Sequence, residues 1–158
     1  MNLKKVHHIA IIGSNYEKSR RFYVDLLGFS VIRENYRPER DDYKIDLQLD
    51  GMELELFIIK NCPKRPSYPE AYGLRHLAFA VDSVDDTVRE LNKKGIITEP
   101  IRVDAYTGKK MTFFSDPDNL PLEIHELSQT VKKLHSYRTA CVGAAIGRQR
   151  GMTCPKEE

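Results

Sequence analysis

Two histidines and two glutamates recur in this chain at one fixed spacing. His8 is followed 68 residues later by His76, and Glu55 is followed 68 residues later by Glu123. Imidazole nitrogens and carboxylate oxygens are ligands of Zn²⁺, Ni²⁺, Co²⁺, Fe²⁺ and Mn²⁺ in proteins. Together the four side chains offer two nitrogen and two oxygen ligands. The residue types therefore predict a site for one divalent metal ion.

The segments around these residues share the same spacing, which indicates an internal repeat. His-x-Ala recurs at 8–10 and 76–78, and Leu-Glu-aliphatic recurs at 54–56 and 122–124. Two copies are too few for a solenoid, but they have the size of two packed supersecondary units. We place the repeats at about 4–59 and 74–127 in one domain, 1–127.

Between the repeats, residues 60–73 carry Pro63, Pro66 and Pro69. Proline cannot donate a backbone hydrogen bond, so it is excluded from helix interiors and central strands. We predict a surface linker here.

Each repeat is predicted to have the order β-α-β-β-β. The first helix has the Ser-x-x-Glu form of a capping box at Ser14 to Glu17, and Gly28 ends it. The second begins near Ser83, buries Val84, Val88 and Leu91, and ends at Gly95. The predicted strands are at about 5–12, 29–36, 43–49, 52–59, 75–81, 97–103, 109–115 and 121–126.

Strand alternation divides these residues between two faces. Bulky apolar residues face one side, under the helices, whereas the four candidate ligands face the other side beside small alanines such as Ala10 and Ala78. We therefore predict an α+β fold in which both repeats form a cup-shaped mixed sheet, with helices on the outer face and the ligands on the concave face.

Each candidate also has a simpler interpretation. A single strand histidine is usually a core or edge residue, and a single strand glutamate usually faces solvent. The shared offset argues against both, because four gathered ionisable groups are costly unless a cation neutralises them. His7, on the packed face, and His125, without a repeat partner, are weaker candidates.

Composition limits the class of protein. Hydrophobic residues make up 41% and charged residues 30% of the chain, which supports a packed core. No apolar run approaches the roughly 20 residues of a membrane span, and the N-terminus lacks a secretory pattern. The three cysteines are widely spaced and odd in number, which favours a reducing cytoplasm over a disulfide framework.

The net charge of +2 is unevenly distributed. Residues 128–158 contain six Lys or Arg against two Glu, a net of +4, so residues 1–127 carry about −2. The main domain therefore has no basic nucleic-acid footprint. The C-terminal extension, partly helical or disordered, is interpreted as a solvated tail, with contact to an acidic partner as the alternative.

Six motifs follow one another along the chain: His-His-Ile-Ala-Ile at 7–11, Ser19 with Phe22-Tyr23, Leu-Gly-Phe at 27–29, residues 73–79, Asp-Pro-Asp at 116–118, and Leu-Glu-Ile at 122–124. Together they resemble the vicinal oxygen chelate superfamily, which includes glyoxalases, bleomycin resistance proteins and dioxygenases. The resemblance covers about residues 4–127 and is nearest to glyoxalase-I-like bacterial proteins of the YaeR-like subgroup. One departure is Asn119, where glycine commonly follows Asp-Pro-Asp; Asn tolerates the positive φ of such a turn.

The resemblance implies one metal ion per chain, with Ni²⁺ or Zn²⁺ favoured, bound by His8, Glu55, His76 and Glu123. It implies a lactoylglutathione lyase-like reaction, in which a 2-oxoaldehyde–thiol hemithioacetal is isomerised through an enediolate. Glu123 would be the catalytic base, with Glu55 as ligand or catalytic partner. A homodimer is also implied, with the site inside one chain or across two.

Three other activities remain open within this resemblance. An extradiol dioxygenase needs two His and one Glu, so the fourth ligand favours the isomerase. The second alternative is a fosfomycin-type thiol transferase. The third is a metal-free protein that sequesters a small molecule. Four basic loop residues could hold an anionic substrate, although solvated charge is the simpler interpretation: Arg37, Arg40, Lys64 and Arg65.

Overall fold

The computed structural model describes residues 1–127, so the predicted C-terminal extension lies outside the described residues. Both repeats have the predicted β-α-β-β-β order. The first consists of β1 (His8–Gly13), α1 (Tyr16–Arg20) with a π-helical continuation (Arg21–Leu26), β2 (Ser30–Arg37), β3 (Asp42–Leu49) and β4 (Met52–Ile58). The second consists of β5 (Leu77–Val81), α2 (Val84–Lys93), β6 (Arg102–Val103), β7 (Lys110–Ser115) and β8 (Pro121–Glu126).

Each repeat forms a four-stranded mixed sheet with the same topology. The strand orders are β1-β4-β3-β2 and β5-β8-β7-β6, and the pairs β1–β4 and β5–β8 are parallel. Ala10 pairs with Glu55 in the first sheet, and Ala78 pairs with Glu123 in the second. The predicted α+β class is confirmed, and the sequence repeat corresponds to an identical strand register.

The apolar faces of both sheets belong to one core. Leu54 and Leu56 of β4, and Leu122 and Ile124 of β8, are at most 3% exposed. Each such side chain contributes about 1.5–3 kcal/mol when it is buried. Aromatic contacts join the repeats, with Phe22 against Phe114 and Phe29 against Phe79. The opposite faces, which carry the candidate ligands, lie outside this core.

Polar contacts also connect the repeats. The Tyr23 hydroxyl donates to Asp116 Oδ2 at 2.9 Å, and the Ser14 backbone N–H donates to Asp118 Oδ2 at 2.8 Å. Both aspartates belong to the turn before β8, where Asn119 has a φ of 65°. The expectation that Asn accepts positive φ in this turn is thereby confirmed.

The first helix begins and continues differently from the prediction. Asn15, not Ser14, is the N-cap, since its extended backbone lets its side chain accept from the Lys18 N–H at 2.9 Å. A π-helical turn then follows, in which the Leu27 N–H donates to Phe22 O. This wider turn fits two consecutive core residues, Phe22 and Tyr23. In the second repeat, Ser83 caps α2 as predicted.

The strand predicted at 97–103 is much shorter than expected. Only Arg102 and Val103 pair with β7. Ile97 is 87% exposed, and Pro100 has no backbone donor for a ladder. The segment before β6 therefore runs beside the sheet, with the Glu99 N–H donating to Phe113 O.

β1 and β5 are edge strands of their sheets and do not pair with each other. In residues 1–127, β1 pairs only with β4 and β5 only with β8, so no ladder joins the two sheets. Between β4 and β5 the chain has neither helix nor strand. None of the described helices is long and apolar enough to cross a membrane.

Candidate metal centre

The first pair of candidate ligands lies on neighbouring parallel strands. His8 opens β1 two residues before Ala10, the register partner of Glu55 in β4. Alternation therefore puts both side chains on one face. His8 Nε2 is 3.6 Å from Glu55 Oε2, and the side chains are 41% and 15% exposed. We call His8 and Glu55 the first half-site.

The second pair repeats this arrangement in the other sheet. His76 precedes Ala78, the register partner of Glu123, by two residues. His76 Nε2 is 2.9 Å from Glu123 Oε2, and the side chains are 26% and 9% exposed. Phe113 meets the His76 ring edge-on at a centroid distance of 5.2 Å. We call His76 and Glu123 the second half-site.

The spacing within each half-site suits two ligands of one metal ion. Ligand atoms about 2.1 Å from a cation, at angles between 90° and tetrahedral, lie about 3 to 3.4 Å apart. The observed nitrogen–oxygen distances are 3.6 and 2.9 Å. Each half-site therefore offers two of the four predicted ligands at a usable distance.

The four predicted ligands do not gather within one chain. Across the part of the chain that the structure describes, one group of three or more His, Cys, Asp or Glu has its ligand atoms within 4.8 Å of one another. That group contains Glu55 with Asp46 and Glu53, and it lacks His8, His76 and Glu123. The four-ligand site remains a prediction that requires the two half-sites to be brought together.

Glu55 lies in a strongly ionic environment. Asp46, its register partner in β3, is 2% exposed, and Lys44 lies two residues away on the same face. Lys44 Nζ is 2.6 Å from Glu55 Oε1 and 2.9 Å from Asp46 Oδ1, and these contacts raise the pKa of Lys44. Burial opposes ionisation of Asp46, but contacts from Lys44 and Arg33 outweigh it and lower the pKa.

Sequence reasoning missed Lys44 and Asp46. Strand alternation could have identified them. They alternate along β3 with buried Ile45 and Leu47 and so share the face of Glu55. They have no polar counterparts in the other repeat, so a search for equivalent polar residues could not find them.

The environment of Glu123 is apolar by comparison. Its register partner in β7 is Phe113, and Met111 occupies the position that corresponds to Lys44. Glu123 is the more buried of the two glutamates, and His76 lies beside it. The two half-sites therefore share ligand types and register but differ in the strand next to the carboxylate.

The weaker candidates are placed elsewhere. His7 was expected on the packed face but is exposed, because β1 begins only at His8. His125 lies 3.7 Å from Asp104, and its Nδ1 is 3.2 Å from a backbone oxygen, so it has a local structural role.

Two of the four basic loop residues have structural partners. Arg37 forms two bonds of 2.6 Å with Asp42 and covers the Phe57 ring, and Arg65 donates to the carbonyl oxygen of Leu74. Arg40 and Lys64 are exposed. Anion binding by any of the four remains a prediction.

A cavity of about 920 Å³ adjoins the second half-site. Arg75 and Phe113 line it, and both contact His76. The volume lies within the range of small-molecule sites. Its lining combines five cationic side chains with three acidic ones: Arg21, Arg65, Arg75, Lys94 and Arg102 against Glu70, Glu99 and Asp116. Two of the arginines are paired, Arg75 with Glu70 and Arg102 with Glu99.

The fold and the half-sites agree with a match to the Glyoxalase/Bleomycin resistance protein/Dioxygenase superfamily over residues 5–124. The chain belongs to this superfamily. It is 61% identical over 127 residues to YwkD of Bacillus subtilis. The aligned region covers 80% of this chain and 99% of YwkD. YaeR of Escherichia coli is 54% identical over 127 residues, covering 80% of this chain and 98% of YaeR.

A solved structure gives the same assignment. The glyoxalase family protein from Enterococcus faecalis is 60% identical with a TM-score of 0.76, covering 80% of this chain and 100% of that protein.

More distant relatives carry enzyme names. The metallothiol transferase FosB of Staphylococcus haemolyticus is 30% identical over 125 residues, covering 78% of this chain and 84% of FosB.

Proposed function

We propose that this protein is a divalent-metal-dependent enzyme of the glyoxalase I type, which isomerises the hemithioacetal of a 2-oxoaldehyde and a thiol. One observation carries the proposal: two His–Glu pairs occupy equivalent strand positions at distances suited to metal ligands. Neither pair is needed for packing, because the apolar core lies on the other face of each sheet.

The complete site is proposed to form between two copies of the chain. The unpaired β1 edge of one copy would lie beside the β5 edge of the other, which places His8 and Glu55 next to the partner's His76 and the partner's Glu123. A two-fold axis makes both contacts equivalent, so a homodimer has two identical sites. Pairing the edges would also satisfy their free backbone groups.

The proposed chemistry assigns separate tasks to the protein and the metal. The four side chains would hold the cation, for which Ni²⁺ and Zn²⁺ are favoured. When bound, the cation would stabilise negative charge that develops on two neighbouring substrate oxygens. Glu123 would take the proton from the hemithioacetal carbon and return it to the neighbouring carbonyl carbon. The small side chains of Ala10 and Ala78 leave space for the substrate beside both half-sites.

A second candidate is thiol transfer to an epoxide, as the name of the relative FosB suggests. The adjoining cavity supports it, because cationic side chains outnumber acidic ones in its lining and would attract an anionic epoxide substrate. Both candidates require the same half-sites, and the substrate distinguishes them.

The test begins with the metal content of protein purified without chelators, measured by elemental mass spectrometry. About one ion per chain is expected. The metal-loaded protein is then assayed with methylglyoxal and glutathione, and separately with fosfomycin and a thiol. Glu123→Gln should abolish isomerisation while circular dichroism remains unchanged, and Glu90→Gln, on the exposed side of α2, should retain activity. Absence of bound metal, or full activity in Glu123→Gln, would contradict the proposal.

A further inference from the structure

We propose that Lys44 and Asp46 are positioning residues, which hold Glu55 by one carboxylate oxygen and leave the other oxygen to face the metal site. This inference rests on the proposed metal site, but it concerns residues outside the predicted ligand set. It also makes the two glutamates unequal, although the repeats place them identically.

The two oxygens of Glu55 have different neighbours. Oε1 accepts a hydrogen bond from Lys44 Nζ at 2.6 Å. Oε2 faces His8 Nε2 at 3.6 Å. A carboxylate with one oxygen held in a charge-assisted bond has a fixed orientation, and such bonds are about twice as strong as neutral ones. The free oxygen is therefore the one that points towards the other ligand of the half-site.

Lys44 is itself held in place by a buried carboxylate. Asp46 is 2% exposed and lies 2.9 Å from Lys44 Nζ through Oδ1. Its second oxygen, Oδ2, accepts from Arg33 Nε at 2.7 Å. The lysine side chain also passes over the Phe57 ring, with Nζ 5.6 Å from its centroid. The contact with Asp46 is an ion pair, since Asp46 Oδ1 has no hydrogen-bond partner among the described residues. The Lys44 ammonium group therefore lies between two carboxylates and gives its hydrogen bond to Glu55.

The second half-site has nothing equivalent. Asp46 is opposite Glu55, whereas Phe113 is opposite Glu123, and Met111 takes the place of Lys44. A Lys–Asp pair in one repeat thus corresponds to a Met–Phe pair in the other. Two apolar residues suffice to pack against a glutamate on this face, so the ionic pair in the first repeat is not required by packing.

The bond from Lys44 determines how many carboxylate oxygens Glu55 can offer to a metal ion. A carboxylate that binds through one oxygen takes one position around a metal ion, and one that binds through both takes two. With Oε1 held by Lys44, Glu55 would take a single position, which leaves another for a substrate oxygen. Glu123 has no lysine beside it in the register: its contact is His76 Nε2 at 2.9 Å from Oε2, the other predicted ligand of its own half-site.

The test is metal binding by Lys44→Met, which copies the residue of the second half-site. Removal of a group that orients a metal ligand typically lowers metal affinity about 10- to 100-fold. We expect a loss of this size in a Co²⁺ titration, together with a changed visible spectrum of bound Co²⁺. Lys44→Arg should retain most of the affinity, because it keeps a cationic donor. Lys110→Met, which removes a surface ion pair with Asp85, is the matched control and should bind Co²⁺ like wild type.

A second variant covers the case in which Lys44→Met leaves buried Asp46 too poorly compensated to fold. Lys44→Met/Asp46→Phe removes both charges together and reproduces the Met–Phe pair of the other repeat. Weak binding and an altered spectrum in this folded protein support the inference. Wild-type affinity and an unchanged spectrum in either folded variant overturn it, while Co²⁺ binding by wild type preserves the proposed function. Absence of Co²⁺ binding by wild type overturns both.

Discussion

Tyr23 of the first repeat donates a hydrogen bond to Asp116 of the second, and both residues are almost inaccessible to solvent. The bond runs from the π-helical turn to the loop before β8, the strand that carries Glu123. Asp116 Oδ1 also accepts the backbone N–H groups of Asp118 and Leu120, each at 2.8 Å. One carboxylate therefore shapes the turn and joins the repeats.

Loss of the Tyr23 hydroxyl should destabilise the fold. Tyr23→Phe leaves a buried carboxylate oxygen without its donor, and we expect a loss of about 1–3 kcal/mol in the free energy of unfolding. Urea denaturation measures this. Tyr36→Phe is the matched control, since that hydroxyl also donates to an aspartate, Asp41, but at the surface, and it should cost less than about 0.5 kcal/mol. Equal losses in the two variants would contradict the role assigned to burial.

Asp116 should also make stability depend on pH. Burial raises the pKa of this carboxyl above its unfolded value of 3.8, so the folded state binds the proton more tightly. Its contribution is therefore fully favourable below pH 3.8 and decreases as the pH rises through the folded pKa. The unfolding free energy of Asp116→Asn relative to wild type should increase over that window, by at most about 1.4 kcal/mol per pH unit. Urea titrations from pH 3 to 7 test this, and a constant difference would refute it.

Gly13 is predicted to tolerate no side chain. A Cβ there would lie 2.6 Å from Ser19 Oγ and 3.1 Å from Ile58 Cδ1. We expect Gly13→Ala to cost about 1–3 kcal/mol. Ser19 Oγ is buried and lacks a hydrogen-bond partner among the described residues, so Ser19→Ala should be close to neutral and should recover part of the loss. A double-mutant cycle by thermal unfolding with no coupling between the two sites would disprove the clash.

Mixing two defective variants tests whether the site is shared. One variant carries His8→Ala and Glu55→Gln, and the other carries His76→Ala and Glu123→Gln. Neither should bind metal alone. Mixed dimers would contain one site with all four ligands and one with none, so an equal, randomised mixture should bind about one ion per four chains. Elemental analysis after refolding the mixture measures this. Metal-free mixtures would show that the ligands combine within one chain.

Much of the fold could be predicted because the repeat appears in residues that packing constrains. Leu54, Leu56, Leu122 and Ile124 alternate with the two glutamates, and alternation alone assigned them to opposite faces. Residues whose roles depend on distant partners were less predictable. Ser14 had the sequence of a cap, yet its N–H bonds to Asp118 in the other repeat, and Asn15 caps the helix instead.

The candidate site was only partly predictable for a related reason. The repeat identified which His and Glu share a face, and the structure places them in pairs as strand register requires. The repeat could not indicate how the two sheets lie relative to each other. The sequence pattern of β1 and β5 is the same whether the neighbouring strand edge belongs to the same chain or to a second copy. Lys44 and Asp46 break the repeat and were therefore invisible to a comparison of its two halves.

The open edges of β1 and β5 have a consequence for the abundance of active protein. If each site needs two chains, the concentration of dimer rises with the square of chain concentration when chains are scarce, so the assembled fraction rises in proportion to concentration. Specific activity would then decline on dilution, and a newly made chain would gain function only after meeting another. Until that encounter, two exposed edge strands would remain open to unwanted strand pairing, which makes prompt dimerisation a safeguard against aggregation.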